Sequence, residues 1–215
     1  MYTCKCTAVN YRASVCAMAA APQPERTPRG QGELLRGRLI DAAEAIVAEQ
    51  GDPAHATIRA VTRRAGVSPT AFYLHFASRE ELLTALRARG FEEFRACLGE
   101  GVAAAGPDPF DRLHGAGRAY LRFARERPNV YGLIFPRHEP DDRVGLASFE
   151  DLKGLVAACA EQAGAADADV ETLAVGIWSG IHGYAMLSRA GKNVRWPDDD
   201  EFAGLLARAW LGAAR

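Results

Sequence analysis

The stretch that decides the fold is Thr57–Phe76, TIRAVTRRAGVSPTAFYLHF. Its first apolar residues recur at a spacing of three to four, which places them on one face of a helix that Thr57 can cap. They are Ile58, Val61 and Ala65. Gly66 follows where the chain must leave this helix, because glycine adopts the left-handed conformation of a helix end at little cost. The first helix is therefore predicted to end there.

A second short helix is predicted after a tight turn. Ser68 is a good N-cap, and Pro69 suits the first helical turn because its missing N–H is not needed there. The buried side of this helix is formed by Val67, Phe72 and Phe76. Two helices joined by a short glycine-containing turn are typical of the helix-turn-helix motif, which enters a groove of DNA.

The charge of the same region favours a polyanionic partner. Between Thr57 and Arg79 the chain has four arginines and no aspartate or glutamate. They are Arg59, Arg63, Arg64 and Arg79. Such a bias is expected of a nucleic-acid-binding surface. The alternative is a solvated helix pair in an ordinary helical protein, although such helices normally alternate charge signs on their exposed face.

The composition of the 215 residues, 48% hydrophobic and 25% charged, is that of a globular protein. Residues 1–80 have ten basic and seven acidic side chains, whereas residues 81–215 have sixteen and twenty. This asymmetry favours DNA binding in the N-terminal third and a different role for the rest. No apolar run approaches the roughly 20 residues needed to cross a bilayer, so we expect no membrane span and no membrane partner. A cytoplasmic location is expected from the cysteines, because their pattern fits a reducing compartment.

Residues 1–32 are predicted to be a disordered arm, since much of the segment is rich in small residues, proline and glutamine. Three of the five cysteines lie in it, and an odd total does not favour a disulfide framework. Cys4-Lys-Cys6 lacks the spacing and second ligand pair of a zinc site, so no metal is expected. Ser14–Ala21 is only weakly similar to a signal peptide, and Met18 is an alternative start.

Further helical patterns lie on both sides of the motif. Glu33–Gln50 is followed by Gly51, and Ser78 opens a longer helix with a capping box that extends to about Cys97. The remaining patterns cover residues 110–127, 130–135, 146–163, 170–189 and 198–213, with a loop at 137–143. No useful period-two alternation occurs, so the fold is predicted to be all-α, with domains at 33–77 and 78–215.

The chain resembles the tetracycline-repressor-like (TetR) family of bacterial transcription regulators over roughly residues 33–213. The N-terminal resemblance is carried by Ala65-Gly-Val-Ser68, Tyr73-x-His75-Phe76 and Ser78-x-Glu80-x-Leu82-Leu83. The C-terminal part resembles a subgroup with a Trp/His-Gly signature, through Ala119-Tyr-Leu-Arg-Phe-Ala124, Pro128-x-x-Tyr131-x-Leu133-x-Phe135 and Trp178-x-x-x-His182-Gly183.

The resemblance implies a sequence-specific regulator, a repressor that a small-molecule effector releases from a near-palindromic operator in double-stranded DNA. It also implies a homodimer whose last two helices form a four-helix bundle, with a ligand cavity in each C-terminal domain. The apolar residues at 173–187 and in the last helix suit these roles. The alternative is a monomer in which both helices are simply buried.

The predicted DNA contacts follow from the motif and from the resemblance. The start of a recognition helix projects into the major groove, so Pro69, Thr70 and Ala71 are the candidates for base contact. The other predicted DNA-binding residues are Arg36, Arg38, Thr57, Ser68, Tyr73, Leu74, His75 and Arg79. Thr57, Tyr73 and His75 resemble phosphate contacts of the family, and the arginines should add salt-dependent affinity. Tyr73 and His75 could instead be core-edge side chains.

Aromatic and polarizable side chains in the C-terminal part indicate a pocket for a moderately hydrophobic effector. The predicted wall consists of Phe94, Tyr120, Phe123, Tyr131, Phe135, Trp178, His182 and Met186. Each of them is also a candidate core residue. The imidazole of His182, in an apolar helix, needs a hydrogen-bond partner from either the protein or the ligand.

Three features depart from the family's pattern. Thr62 stands where a small alanine is usual, so the two motif helices are expected slightly farther apart. The connection from Gly51 to Thr57 is one residue longer than usual. Leu74 occupies a site that is often polar and faces DNA, where leucine can only contact a thymine methyl group or exclude water.

Other classes of function have less support. No metal-ligand cluster, glycine-rich phosphate loop or nucleophile motif stands out, so we expect no enzyme activity and no cofactor. A regulator that senses oxidation through Cys97 or Cys159 is an alternative, although cysteine in an apolar helix is more often inert. A DNA-binding protein without an effector is another.

Overall fold

The structure, a computed structural model, describes residues 31–135, 145–190 and 194–212. These ranges contain helices and no strand, so the all-α prediction is confirmed for them. The helices are α1 Gln31–Gln50, α2 Ile58–Ala65, α3 Pro69–Tyr73, α4 Arg79–Ala104, α5 Pro109–Glu126, α6 Pro128–Ile134, α7 Leu146–Gln162, α8 Val170–Ala190 and α9 Asp199–Gly212, with a 3-10 turn at Pro53–His55. In the described part of the chain, every helix is too short or too polar to span a membrane.

The predicted helix starts around the motif are confirmed. Thr57, Ser68 and Ser78 are extended, and each hydroxyl oxygen accepts a hydrogen bond from the backbone N–H three residues ahead, at 3.1–3.2 Å. Gly66 ends α2 in the left-handed conformation, with φ of 67°. These bonds satisfy backbone groups that a helix end leaves unpaired, which is why short polar residues mark the starts.

Two predicted helix ends were wrong. Helix α1 begins at Gln31, so the last two residues of the predicted arm are helical, and the rest of that arm lies outside the described residues. Helix α4 continues seven residues past the predicted end near Cys97. The glycines beyond Cys97 weaken a helical pattern in sequence, but packing against α5 outweighs this low propensity. The predicted loop at 137–143 also lies outside the described residues.

The crossing of α4 and α5 is unusually close. A Cβ atom added to Gly101 would lie 2.5 Å from the carbonyl oxygen of Gly115, and one added to Gly115 would lie 2.4 Å from that of Gly101. Only glycine allows two helix backbones to approach this closely. The crossing therefore fixes the relative position of the two helices that carry much of the C-terminal core.

Helices α4 and α6 connect the N-terminal and C-terminal cores. Leu82 and Leu86 of α4 are buried in the N-terminal core with α1–α3, whereas Phe94, farther along α4, is buried in the C-terminal core. Leu133 of α6 belongs to the N-terminal core, although its neighbour Ile134 lies in the C-terminal one. The predicted boundary at 77/78 therefore crosses a shared helix, and it stays a prediction.

Candidate functional sites: the helix-turn-helix surface and an internal cavity

Helix α3 presents its first residues to solvent. Phe72 and Phe76 are completely buried and attach this short helix to α1 and α2. Pro69 and Thr70 are exposed, and Ala71 is half-buried. The three predicted base-contacting residues thus lie at the accessible start of a helix held by two aromatic anchors, although contact with DNA stays a prediction.

The remaining predicted contacts of this region differ in exposure. Tyr73 and Leu74 are 57% and 77% exposed, which is high for large side chains and leaves both accessible to a partner. Thr57 is exposed while its hydroxyl caps α2, and Ser68 caps α3 in the same way. His75 is half-buried beside the start of α1, so a core-edge role remains open for it.

The arginines of α2 are not equivalent. Arg64 forms a two-pronged ion pair with Glu49 of α1, both N···O distances being 2.7 Å. Within the described residues, Arg59 and Arg63 are exposed and take part in no ion pair. The sequence from Thr57 to Arg79 has no acidic residue, but the folded surface there does have one. It is Glu49, which α1 places beside Arg64.

Arg79 holds the connection between α1 and α2. Its guanidinium donates to the backbone carbonyl oxygens of Pro53, at 2.5 Å, and Ala56, at 3.1 Å. The connection that looked one residue too long is folded into the 3-10 turn, which the Asp52 carboxylate caps by accepting from the N–H of Ala54. Arg79 thus positions the start of α2, and a phosphate contact by the same side chain stays a prediction.

Two other predicted arginine contacts also have partners within the protein. Arg38 donates to the carbonyl oxygen of Ala65 at the end of α2, at 2.5 Å, a position where a positive charge is favourable. The guanidinium of Arg36 lies 4.8 Å from the ring centre of Phe76. Both residues are exposed, and contact of either with DNA stays a prediction.

Thr62 is the only buried polar side chain of the described core and is 2% exposed. Its hydroxyl donates to the carbonyl oxygen of Ile58 in the same helix, at 2.8 Å. Such a bond satisfies a buried hydroxyl without a partner from another helix. Threonine is therefore tolerated at this crossing, and a wider separation of the two helices stays a prediction.

The C-terminal part contains a cavity of about 1040 Å³, partly open to solvent and lined by residues of α4 to α9. Its walls are mostly apolar, and five of the eight predicted wall residues line it. They are Phe94, Tyr120, Phe135, Trp178 and His182. Helix α7 supplies further wall residues that the sequence analysis missed, namely Leu146, Phe149, Leu152 and Leu155.

Three of the predicted wall residues do not line this cavity. Phe123 is a buried core residue, and Met186 is 36% exposed on α8. Tyr131 is buried behind the wall, where its hydroxyl bonds to two residues that do line the cavity. Each of the three lies within one helical turn of a residue that does line the cavity. Sequence spacing alone therefore cannot distinguish them from the lining residues.

Tyr120, Tyr131 and His182 form a hydrogen-bonded triangle, called the Tyr-Tyr-His network below. The His182 Nδ1 lies 2.7 Å from the Tyr131 hydroxyl and 3.1 Å from the Tyr120 hydroxyl, which are 2.9 Å apart. The partner that the sequence required for His182 is therefore supplied by the protein. Burial raises the pKa of Tyr131 to about 12 and that of Tyr120 well above its usual value, and it lowers the pKa of His182. All three groups are uncharged at neutral pH.

We expect His182 to make folding stability depend on pH. In the unfolded chain its pKa is near 6.5, and in the folded protein it is lower. The unfolded state therefore takes up the proton first, so this contribution to stability is complete above pH 6.5 and is lost as the pH falls through the folded pKa. Urea unfolding of the wild type and of His182→Gln between pH 8 and 5 measures this. Parallel stability curves for the two proteins would contradict it.

The two cysteines of the described region differ in their surroundings, and oxidation sensing through Cys97 stays an alternative. Cys159 is completely buried, and burial raises the pKa of its thiol to about 11, so the reactive thiolate is rare at neutral pH. The thiol of Cys97 lies 3.4 Å from the guanidinium of Arg122. Across residues 31–135, 145–190 and 194–212, no cluster of His, Cys, Asp and Glu side chains could hold a metal ion.

A short exposed helix after a tight turn, in a three-helix N-terminal unit, is the architecture of the helix-turn-helix motif. Residues 39–86 match the family model described as "Bacterial regulatory proteins, tetR family", and residues 113–209 match "Tetracyclin repressor-like, C-terminal domain". The chain belongs to the TetR family. The subgroup with the Trp/His-Gly signature is compatible with these matches.

Two curated relatives are transcription regulators. The chain is 35% identical to the HTH-type transcriptional repressor KstR2 of Mycobacterium tuberculosis over 86 residues, 40% of this chain and 42% of the relative. It is 35% identical to the HTH-type transcriptional regulator TcmR of Streptomyces glaucescens over 112 residues, 49% of this chain and 48% of the relative. The matched segments thus span less than half of these relatives.

Solved structures match over most of the chain. A Rhodococcus sp. RHA1 protein of unknown function superposes with a TM-score of 0.73 at 26% identity, over 87% of this chain and 98% of that one. A TetR-like transcriptional regulator from the same organism has a TM-score of 0.60 at 21% identity, over 88% and 99% of the two chains. The second similarity concerns the fold alone.

Proposed function

We propose that the protein is a sequence-specific transcriptional repressor of the cytoplasm that a small molecule releases from its operator. The observation that carries the proposal is the exposed start of α3, together with exposed Arg59 and Arg63 of α2, in a chain of the TetR family. Base contacts are assigned to Pro69, Thr70 and Ala71. Since Thr70 alone can hydrogen-bond a base edge, DNA shape and apolar contacts contribute much of the specificity.

We propose a homodimer formed through α8 and α9. Leu187 of α8 and Leu205 of α9 are 58% and 59% exposed, which leaves apolar surface on both helices. On α8, a Cβ added at Gly183 would have no atom of another part of the chain within 4 Å, so this glycine would let a partner helix approach closely. This surface suits a symmetric contact in which the same patch of each subunit is used.

The effector is assigned to the cavity, and α6 provides a physical connection from there to the DNA-binding helices. Tyr131 of α6 bonds to His182 in the cavity wall, while Leu133 packs in the N-terminal core. The Asn129 side chain, at the start of α6, donates to the carbonyl oxygen of Ala48 near the end of α1, at 2.7 Å. A ligand that shifts Tyr131 would therefore favour a different position of α1, and with it of α3.

Replacing Tyr73 by phenylalanine is expected to weaken operator binding severalfold and to do so similarly for different operator sequences. The hydroxyl is assigned to a phosphate, a contact that positions the protein without reading bases. Loss of one hydrogen bond corresponds to about 0.5–1.5 kcal/mol. Gel-shift titrations on two unrelated operators measure this, and unchanged affinity would rule out the assignment. Thr70→Val, in contrast, should change the preference between operators.

A genome-wide binding map followed by footprinting tests the function as a whole. A dimer with two recognition helices predicts near-palindromic sites whose half-sites are separated by about one helical turn, roughly 34–36 Å, or a multiple of it. Binding without sequence preference, or to sites without twofold symmetry, would contradict the proposal. Genes next to the sites would then indicate which compounds to test as effectors.

A further inference from the structure

The number of protons in the Tyr-Tyr-His network fixes which nitrogen of His182 is protonated. If Nδ1 accepts, Tyr131 donates to Nδ1 and Tyr120 donates to the Tyr131 oxygen, so both phenol protons have acceptors. If Nδ1 carried a proton, three protons would share two oxygen acceptors, and one buried phenol would have no acceptor within the network. Buried hydroxyls are rarely left without a partner. Nδ1 is therefore the acceptor.

The tautomer of His182 follows from this direction of hydrogen bonding. A neutral imidazole has one N–H, so the proton of His182 is on Nε2.

The Nε2–H of His182 is available to a ligand. Hydrogen bonds between His182 and the other described residues all involve Nδ1, and the residue lines the cavity. Around the ring are Phe135, at 5.2 Å between ring centres, and Trp178, at 6.2 Å. The cavity thus offers an uncharged donor among aromatic rings.

The charged residues of the cavity wall do not favour an anion next to His182. The Arg95 guanidinium is already paired with the Asp151 carboxylate, at 2.8 Å. Arg112 is eight residues from Tyr120 along α5, a distance of about 12 Å at 1.5 Å per residue. Among the described residues no arginine contacts His182, and the Arg189 guanidinium, which acts on Tyr131 through space, donates to the Ala124 carbonyl oxygen. A carboxylate at His182 would therefore lose its hydration without gaining a direct positive partner.

The size of the cavity favours more than one ring. About 1040 Å³ is at the upper limit of ordinary small-molecule pockets, and the wall extends along α4 from Phe91 to Val102, about 16 Å. Edge-to-face aromatic contacts, such as those of Phe94 with Tyr120 and Phe149 with Trp178, suit flat ring systems.

We propose that the effector is a flat, multi-ring molecule with an uncharged acceptor oxygen of the ketone or quinone type, which accepts a hydrogen bond from Nε2–H of His182. The proposal rests on the proposed function, because it specifies the ligand of the cavity assigned there. It requires Tyr131 and Tyr120 as positioning residues that keep Nδ1 an acceptor, because either hydroxyl can donate to it.

Calorimetric titration of the full-length protein with 9-fluorenone and fluorene, which differ only in the carbonyl group, tests this proposal. We expect the ketone to bind about tenfold more tightly, the ratio that one neutral hydrogen bond provides. His182→Leu should reduce the ratio to within about twofold, and His182→Gln, which keeps an N–H, should retain part of it. The anion 9-fluorenecarboxylate should bind more weakly than the ketone.

Several results would overturn the proposal. Two concern the wild type and the neutral probes, namely equal binding of 9-fluorenone and fluorene or no binding of either. The others are tighter binding of 9-fluorenecarboxylate than of the ketone, and a preference for the ketone over fluorene that His182→Leu retains. If His182→Leu does not fold, as judged by circular dichroism, the double variant Tyr120→Phe/Tyr131→Phe replaces it, because it removes both donors to Nδ1, and the preference should fall there too. The titration contains no DNA. A ketone that binds with the expected preference but leaves operator affinity unchanged would keep the ligand class and reject the effector role.

Discussion

Gly101→Ala is expected to lower the free energy of unfolding by about 1–3 kcal/mol. Alanine normally stabilises the interior of a helix by about 1 kcal/mol relative to glycine, so the sequence alone predicts the opposite sign. The new Cβ would lie 2.5 Å from the backbone carbonyl oxygen of Gly115, which cannot rotate away as a side chain could. The two helices must separate, and the contact of Phe94 with Tyr120 in the cavity wall must loosen with them.

Gly99→Ala is the matched control. It lies in the same helix, two residues earlier, and a Cβ there would have no atom within 4 Å. We therefore expect this variant to be as stable as the wild type or up to about 1 kcal/mol more stable. Urea unfolding of both variants measures the difference. If both are stabilised equally, α4 and α5 do not pack as closely as described.

The features of the fold that were predicted correctly depend on interactions between residues close together in the sequence. A cap such as Thr57 bonds to a backbone N–H three residues away, and Gly66 ends α2 through its own backbone conformation. Interactions of this range depend on the order of residues alone. The end of α4 depends instead on contact with α5, a helix that starts later in the chain, and the prediction failed there.

The features of the candidate sites also fall into those set by nearby residues in the sequence and those set by tertiary packing. The accessible start of α3 could be predicted, because its anchors Phe72 and Phe76 lie within the motif itself. The pairing of Arg64 with Glu49 could not, since the two residues are fifteen positions apart and on different helices. Helix α7 likewise joins the cavity wall through tertiary packing, and its own sequence has no feature that indicates this.

Arg79→Ala is expected to weaken operator binding by tenfold or more while the dependence of affinity on salt stays unchanged. The wild-type guanidinium forms two charge-assisted hydrogen bonds to the turn before α2, each of the kind that contributes about 1.5–3 kcal/mol. Without them the turn and the start of α2 lose their position, and α3 packs against α2. Arg79→Lys cannot form both bonds and should recover only part of the affinity.

The salt dependence separates this positioning role from the direct phosphate contact that the resemblance implies. Removing an arginine that neutralises one phosphate reduces the slope of log affinity against log salt concentration by about 0.9, whereas loss of positioning leaves the slope nearly unchanged. Arg59→Ala is the matched control, because it removes the same charge from an exposed residue without a partner among the described residues. Its thermal stability should equal that of the wild type, while that of Arg79→Ala should be lower. A reduced slope for Arg79→Ala together with unchanged stability would make Arg79 a phosphate contact after all, and the turn before α2 would then need no support from it.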